Sequence, residues 1–220
     1  MQIALVLFDR FTALDAVGPY EMLSRTPGAE TVFVAERAGA VRNDSGSLEL
    51  VAHRTLDEVP APDVVIVPGG PGQSAQMDNE KLLGWLRRAD AASTWTTSVC
   101  TGSLLLAAAG LLTGRRATSH WLALDTLKEY DAEPTGERVV VDGKYVTAAG
   151  VSAGIDMGLT LLGRIAGDTT AQAVQLLTEY DPQPPYDAGS PEKAPAALVE
   201  EWRAKSRFIL RQGPPPRQAR

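Results

Sequence analysis

Short, nearly continuous apolar runs recur along this chain, with helix-length segments between them. "QIALVLF" (residues 2–8), "ETVFVAE" (30–36) and "DVVIV" (63–67) each have strand length, and the β-branched "TWTTSV" (94–99) is a further strand leading to Cys100. Strands covered on both faces read this way, with no alternation of polar residues. "LDAVGPYEMLSR" reads as a helix starting near Asp15, with Gly18-Pro19 disturbing its first turn. Residues 79–92 put Leu82, Leu83, Trp85 and Leu86 on one helical face. "GSLLLAAAGLL", "WLALDTLKEY", "SAGIDMGLTLLGRIA" and "TTAQAVQLLTEY" supply further predicted helices. "LELVAH" is extended beyond an "RNDSG" turn, and "ATSH" is a short strand or cap. "ERVVVDGKYVTA" carries the hairpin signal, two β-rich runs around Asp142-Gly143. Strands alternating with helices in this way specify an α/β chain with a mostly parallel sheet.

The totals narrow the class of function. At 220 residues, the chain buries a core without staples. A net charge of −6 argues against nucleic acid as a partner, because phosphate binding needs a basic face. No apolar stretch has membrane-spanning length, and "MQIALVLFDR" reads as a first strand and not a signal peptide. The expected location is therefore cytoplasmic. The single cysteine, Cys100, excludes an internal disulfide and a cysteine-rich metal site, and the two histidines offer little to a metal. After Tyr180 the texture changes. "DPQPPYDAGSPEKAP" is an extended surface segment, followed by one amphipathic helix over residues 196–210 and the tail "GPPPRQAR".

In an open parallel sheet, ligands sit beyond the carboxyl ends of the strands. Three such ends carry unusual residues here: "FDRFTALD" leads to Asp15, "DVVIV" to Gly69 and Gly70, and "TWTTSV" to Cys100. Cys100 at an abrupt strand-to-helix turn sits at the positive end of a helix, which favours thiolate. The amides of Gly69, Gly70 and Thr101 are then available to developing negative charge. Asp15 beside the thiol makes a pair that shares a proton and titrates jointly. Each residue also has a plainer reading. Cysteine is at home in cores, Asp15 suits a helix N-cap, and Gly-Gly suits a turn. His120 and Asp156 read as hydrogen-bonded structural residues, and His53 has no assigned role.

"VIVPGGPG", "TSVCTGSLLLAAAGLLTGRRATSHW" and "AAGVSAGIDMGLTL" together resemble the DJ-1/PfpI superfamily, in its class I glutamine-amidotransferase-like branch. The resemblance covers residues 2–195, read as a catalytic domain over 1–195 with the helix and tail of 196–220 belonging to it. Within the superfamily, "LDAVGPYEML", Cys100 followed by Thr101, and the proline-rich tail are most similar to the isocyanide hydratases. The resemblance implies a flavodoxin-like three-layer sandwich with a nucleophile elbow at Cys100, usually homodimeric. It also implies cofactor-free addition of water to a small-molecule isocyanide through a cysteine thioimidate. By position Cys100 is the nucleophile, Asp15 the acid and Thr101 the assisting residue. Gly69, Gly70 and Val151 are the substrate-facing positions, with the Gly70 amide and Val151 backbone approaching the sulfur. The protease-like branch has His where this chain has Thr101. Glutamine amidotransferases need a His beyond His120, and the glyoxalase-like branch has Glu in place of Asp15. One tail helix supplies no helix-turn-helix pair. A cysteine redox sensor and a glyoxalase-type enzyme are the alternative readings.

Overall fold

The computed structural model describes residues 1–209. β1 (Gln2–Val6) leads to α1 (Ala13–Leu23), β2 (Glu30–Ala35), the hairpin strands β3 (Gly39–Arg42) and β4 (Glu49–Ala52), the short β5 (Arg54–Thr55) and β6 (Val64–Val67). α2 (Glu80–Ala92) then precedes β7 (Trp95–Val99) and α3 (Gly102–Ala108). β8 (Arg116–Ala117) and β9 (Glu133–Pro134) form a small pair, and the hairpin β10 (Val139–Asp142) and β11 (Tyr145–Ala148) follows. α4 (Ala153–Ala166), α5 (Asp168–Leu177) and α6 (Ala196–Ile209) complete the order.

The central sheet runs β10-β11-β7-β6-β1-β2-β5, parallel except at β10. Alternate residues of its strands feed two cores. Ala4, Val6, Val65 and Val67 pack on one face with Trp85 and Leu86 of α2 and Leu104 and Leu105 of α3. Ile3, Leu5, Val64 and Ile66 pack on the other with Met22 of α1 and Met157 and Leu161 of α4. Full burial of both faces explains why these strands lack a polar alternation. The result is the α/β sandwich expected from the sequence, with helices on both sides of a mostly parallel sheet.

Two local expectations are corrected. Pro19 does not disturb the first turn: α1 starts at Ala13 and continues through it. Its ring lies against α4, where a Cβ on Gly154 would come within 3.1 Å of Pro19 Cδ. Packing against α4 thus offsets the backbone hydrogen bond that proline removes. "WLALDTLKEY" forms a 3-10 segment over Leu124–Tyr130 instead of an α-helix. Leu127 is its one buried residue, so packing gives little reward for a regular apolar stripe. The helix expected over residues 196–210 is present as α6, with Leu210 and the "GPPPRQAR" tail outside the described residues. Among the described residues, no helix is long and apolar enough to cross a membrane.

Candidate active site

The carboxyl ends of β1, β6 and β7 lie side by side in the sheet, so the segments that follow them meet at one rim. Cys100 follows β7 directly and adopts φ 59°. For a residue with a Cβ, this left-handed conformation costs roughly 1 kcal/mol, and it persists only where neighbours hold it. Here the Cys100 amide donates to the carbonyls of Ala148 (3.0 Å) and Ala149 (2.9 Å) at the end of β11. The Cys100 carbonyl accepts from Ser119 Oγ (3.1 Å) and Ser103 Oγ (3.2 Å). The elbow expected from the sequence is therefore built and braced on both sides.

Asp15 is fully buried and is the third residue of α1, not its N-cap, which is Thr12. Its Oδ2 accepts the Gly69 amide at 2.9 Å, while Oδ1 is buried without a hydrogen bond. The Gly70 amide donates to Thr101 Oγ1 at 3.0 Å. Both glycine amides, expected to face a ligand or the sulfur, are thus already used to hold Asp15 and Thr101. Gly70 still lines the cavity beside Cys100 and Val151, whereas Gly69 sits behind it. The amides of Thr101 and Val151 are the backbone groups that favour negative charge on the sulfur.

Neither glycine position accepts a side chain. A Cβ on Gly69 would come within 2.5 Å of the Thr101 nitrogen and 3.0 Å of Asp15 Oδ2. Gly70 has φ 130°, and its Cβ would come within 2.5 Å of the Thr12 nitrogen. Gly70→Ala is expected to destabilise the fold by about 2 kcal/mol or more, read as a lower urea midpoint.

Electrostatics at the elbow differ from the expectation of a favoured thiolate. Burial pushes the Cys100 thiol well above its usual range, and the nearby Asp15 charge pushes it further. The Thr101 and Val151 amides only partly oppose this. Burial also raises the Asp15 carboxyl from 3.8 to about 7, against the opposing effects of the Gly69 amide and the thiol. The two groups shift each other's protonation: the neighbouring thiol lowers the Asp15 carboxyl, and the Asp15 charge raises the thiol. At neutral pH the pair therefore holds a protonated sulfur beside a carboxyl near its midpoint.

This has a consequence for stability. Asp15 binds its proton more tightly in the folded chain than in the unfolded one. Its contribution is fully present below the unfolded value of 3.8 and is lost as pH rises through about 7. Asp15→Asn removes that loss. The variant's stability relative to the natural chain is expected to increase between pH 4 and pH 8, by at most about 4 kcal/mol. Urea titrations at the two pH values check the sign.

A cavity of about 550 Å³ opens above Cys100, Thr101 and Gly70. His120, Trp121 and Leu122 form one part of its wall, and Thr12, Asp44 and Gln73 another. Residues 188–191 together with Ala194, Leu198, Val199 and Trp202 complete the lining. His120 Nδ1 accepts the Leu122 amide at 3.2 Å, and burial lowers the ring's pKa, so it is a neutral imidazole in the wall. Asp156 stands in a separate network with Arg138 (2.5 Å) and Tyr180 (3.1 Å), in keeping with its structural reading. Sequence reasoning missed Asp44, Trp121 and Trp202. Asp44 sits in a turn, where Asp is unremarkable. Trp202 left one usable signal: an apolar stripe with Leu198 and Val199 on a tail helix that needed a partner.

A mostly parallel α/β sheet carrying a strained cysteine elbow with a buried carboxyl behind it defines the class of fold and site. The chain belongs to the DJ-1/PfpI family, whose model matches residues 1–164. It is 44% identical over 206 residues to "Isonitrile hydratase" of Pseudomonas putida, covering 94% of this chain and 90% of that one. A solved THiJ/PfpI family protein from Pseudomonas syringae superposes with a TM-score of 0.88 at 38% identity, covering 96% of this chain and 90% of the other. The "HTH-type transcriptional regulator GbdR" of Pseudomonas aeruginosa is 30% identical over 186 residues, which are 81% of this chain but 50% of the regulator.

Proposed function

We propose that the chain is an isocyanide hydratase that converts an isocyanide and water to an N-substituted formamide by covalent catalysis at Cys100. The observation that carries this reading is the pairing of the Cys100 thiol with a buried Asp15 whose Oδ1 is free of hydrogen bonds. Similarity to the Pseudomonas putida isonitrile hydratase over nearly the whole chain supports the substrate class.

The chemistry follows from the protonation state. The terminal carbon of R–N≡C accepts both a nucleophile and a proton. Asp15 takes the thiol proton as the sulfur attacks, then delivers it to the same carbon, giving the thioimidate R–N=CH–S–Cys100. Water adds to that carbon while Asp15 takes one of its protons and passes it to the nitrogen, leaving the second on the new hydroxyl. Collapse breaks the C–S bond, releases R–NH–CHO and returns a proton to the sulfur. Gly69 fixes Oδ2 so that Oδ1 serves as the working oxygen. Thr101, oriented by Gly70, offers its hydroxyl at the cavity floor. No amine leaves in this reaction, so no general acid is needed to protonate one, which suits a neutral His120.

The direct test is formamide production by the purified chain from a simple isocyanide, and a failure to consume any isocyanide would overturn the proposal. We further propose a cytoplasmic homodimer, which sedimentation at the monomer mass would contradict.

A further inference from the structure

We propose that the roof formed by residues 188–202 is the specificity element of the cavity. It favours isocyanides bearing an aryl or similarly bulky apolar substituent, with Trp202 setting the size that is preferred, while the acidic side of the cavity excludes an anionic group. The substrate class rests on the hydratase reading above; the cavity's preference for bulky groups without negative charge does not.

Several independent observations meet in this assignment. Leu198, Val199 and Trp202 fall on one side of α6 and all line the cavity. Leu198 and Trp202 nevertheless remain 42% and 43% exposed, so apolar surface beside the elbow is left without a partner. A cavity of about 550 Å³ is far larger than the isocyano group requires, and this apolar surface is where the substituent fits.

Charge excludes an anionic substituent. Among the described residues no Lys or Arg lines the cavity, while Asp44 does and Asp15 lies beneath it. His120 is held neutral. A carboxylate or phosphate on the substrate would lose its hydration and meet only like charge. The floor of the site falls within residues 1–164, which the family model matches; that match ends before the roof begins. The nucleophile and the acidic wall thus lie in the part that the family model matches, and the roof that selects for size lies beyond it.

The test compares the natural chain with Trp202→Ala and Trp202→Phe. The ratio of kcat/KM for phenyl isocyanide to that for methyl isocyanide is expected to fall about tenfold in Trp202→Ala, mainly through the KM of the aryl substrate. Trp202→Phe should restore most of it. Because Cys100 is the single thiol, alkylation gives a readout that does not depend on turnover. The rate ratio of N-phenyl iodoacetamide to iodoacetamide at Cys100 should fall similarly in Trp202→Ala. Iodoacetate should lag iodoacetamide more than it does with free cysteine. If no isocyanide is consumed, the hydratase reading fails while the alkylation ratio still tests the roof. An aryl alkylation ratio unchanged by Trp202→Ala, or iodoacetate reacting as readily as iodoacetamide, would overturn the proposal.

Discussion

Alanine in place of Cys100 is expected to reduce formamide production by roughly ten-thousand-fold or more, since the covalent route loses its only nucleophile. The substitution removes little volume from a site whose backbone is braced by Ala148, Ala149, Ser103 and Ser119. Folding should therefore survive, and a retained urea midpoint separates loss of chemistry from loss of structure. Removing the thiol also removes one partner of the coupled pair. The Asp15 carboxyl then titrates alone, and without the stabilising effect of the thiol its pKa should rise further. Infrared measurement of the carboxyl stretch against pH reads this change. Substantial formamide production by Cys100→Ala would mean that water attacks the isocyanide directly and that no thioimidate forms.

Asp15→Asn carries the second large effect. The amide keeps an oxygen for the Gly69 N–H, so the site's geometry is preserved, but it neither takes the thiol proton nor returns it to carbon. A loss of about a hundred-fold to ten-thousand-fold in kcat is expected. The pH profile is the more discriminating readout. The working form of the pair holds one proton, so kcat/KM of the natural chain should rise with pH through about 7 as the first proton leaves. It should fall again only well above the ordinary thiol range, where the second proton leaves. In Asp15→Asn the lower limb should vanish. A lower limb that persists unchanged would assign it to another group, His120 being the nearest candidate in the cavity wall.

The sheet was legible because its physics is local. Val64–Val67 and residues 3–6 are buried on both faces, and an uninterrupted apolar run is the direct record of that burial. Asp142-Gly143 marked the β10–β11 hairpin through the backbone its turn requires. The convergence of Asp15, Gly69 and Cys100 was also readable, because a parallel sheet places the ends of neighbouring strands on one rim.

What remained hidden depends on contacts between distant segments. Whether a glycine amide faces a ligand or a neighbour is decided by where Asp15 and Thr101 arrive, and here they arrive first. The thiol's protonation depends on burial and on a carboxylate 85 positions earlier in the chain, and the local turn suggested the opposite sign. Pro19 reads as a helix breaker until α4 is packed against it. The roof is the clearest case: nothing within "DAGSPEKAPAALVEEW" indicates which surface it covers, although its apolar stripe requires one.

The central claim is addition of water across the isocyanide carbon, and proton NMR in heavy water tests it most directly. With phenyl isocyanide in D₂O, the purified chain is expected to produce N-phenylformamide carrying deuterium on the formyl carbon, because that hydrogen passes through Asp15 from exchangeable sites. Isocyanide that persists at the rate of the protein-free control would contradict the account.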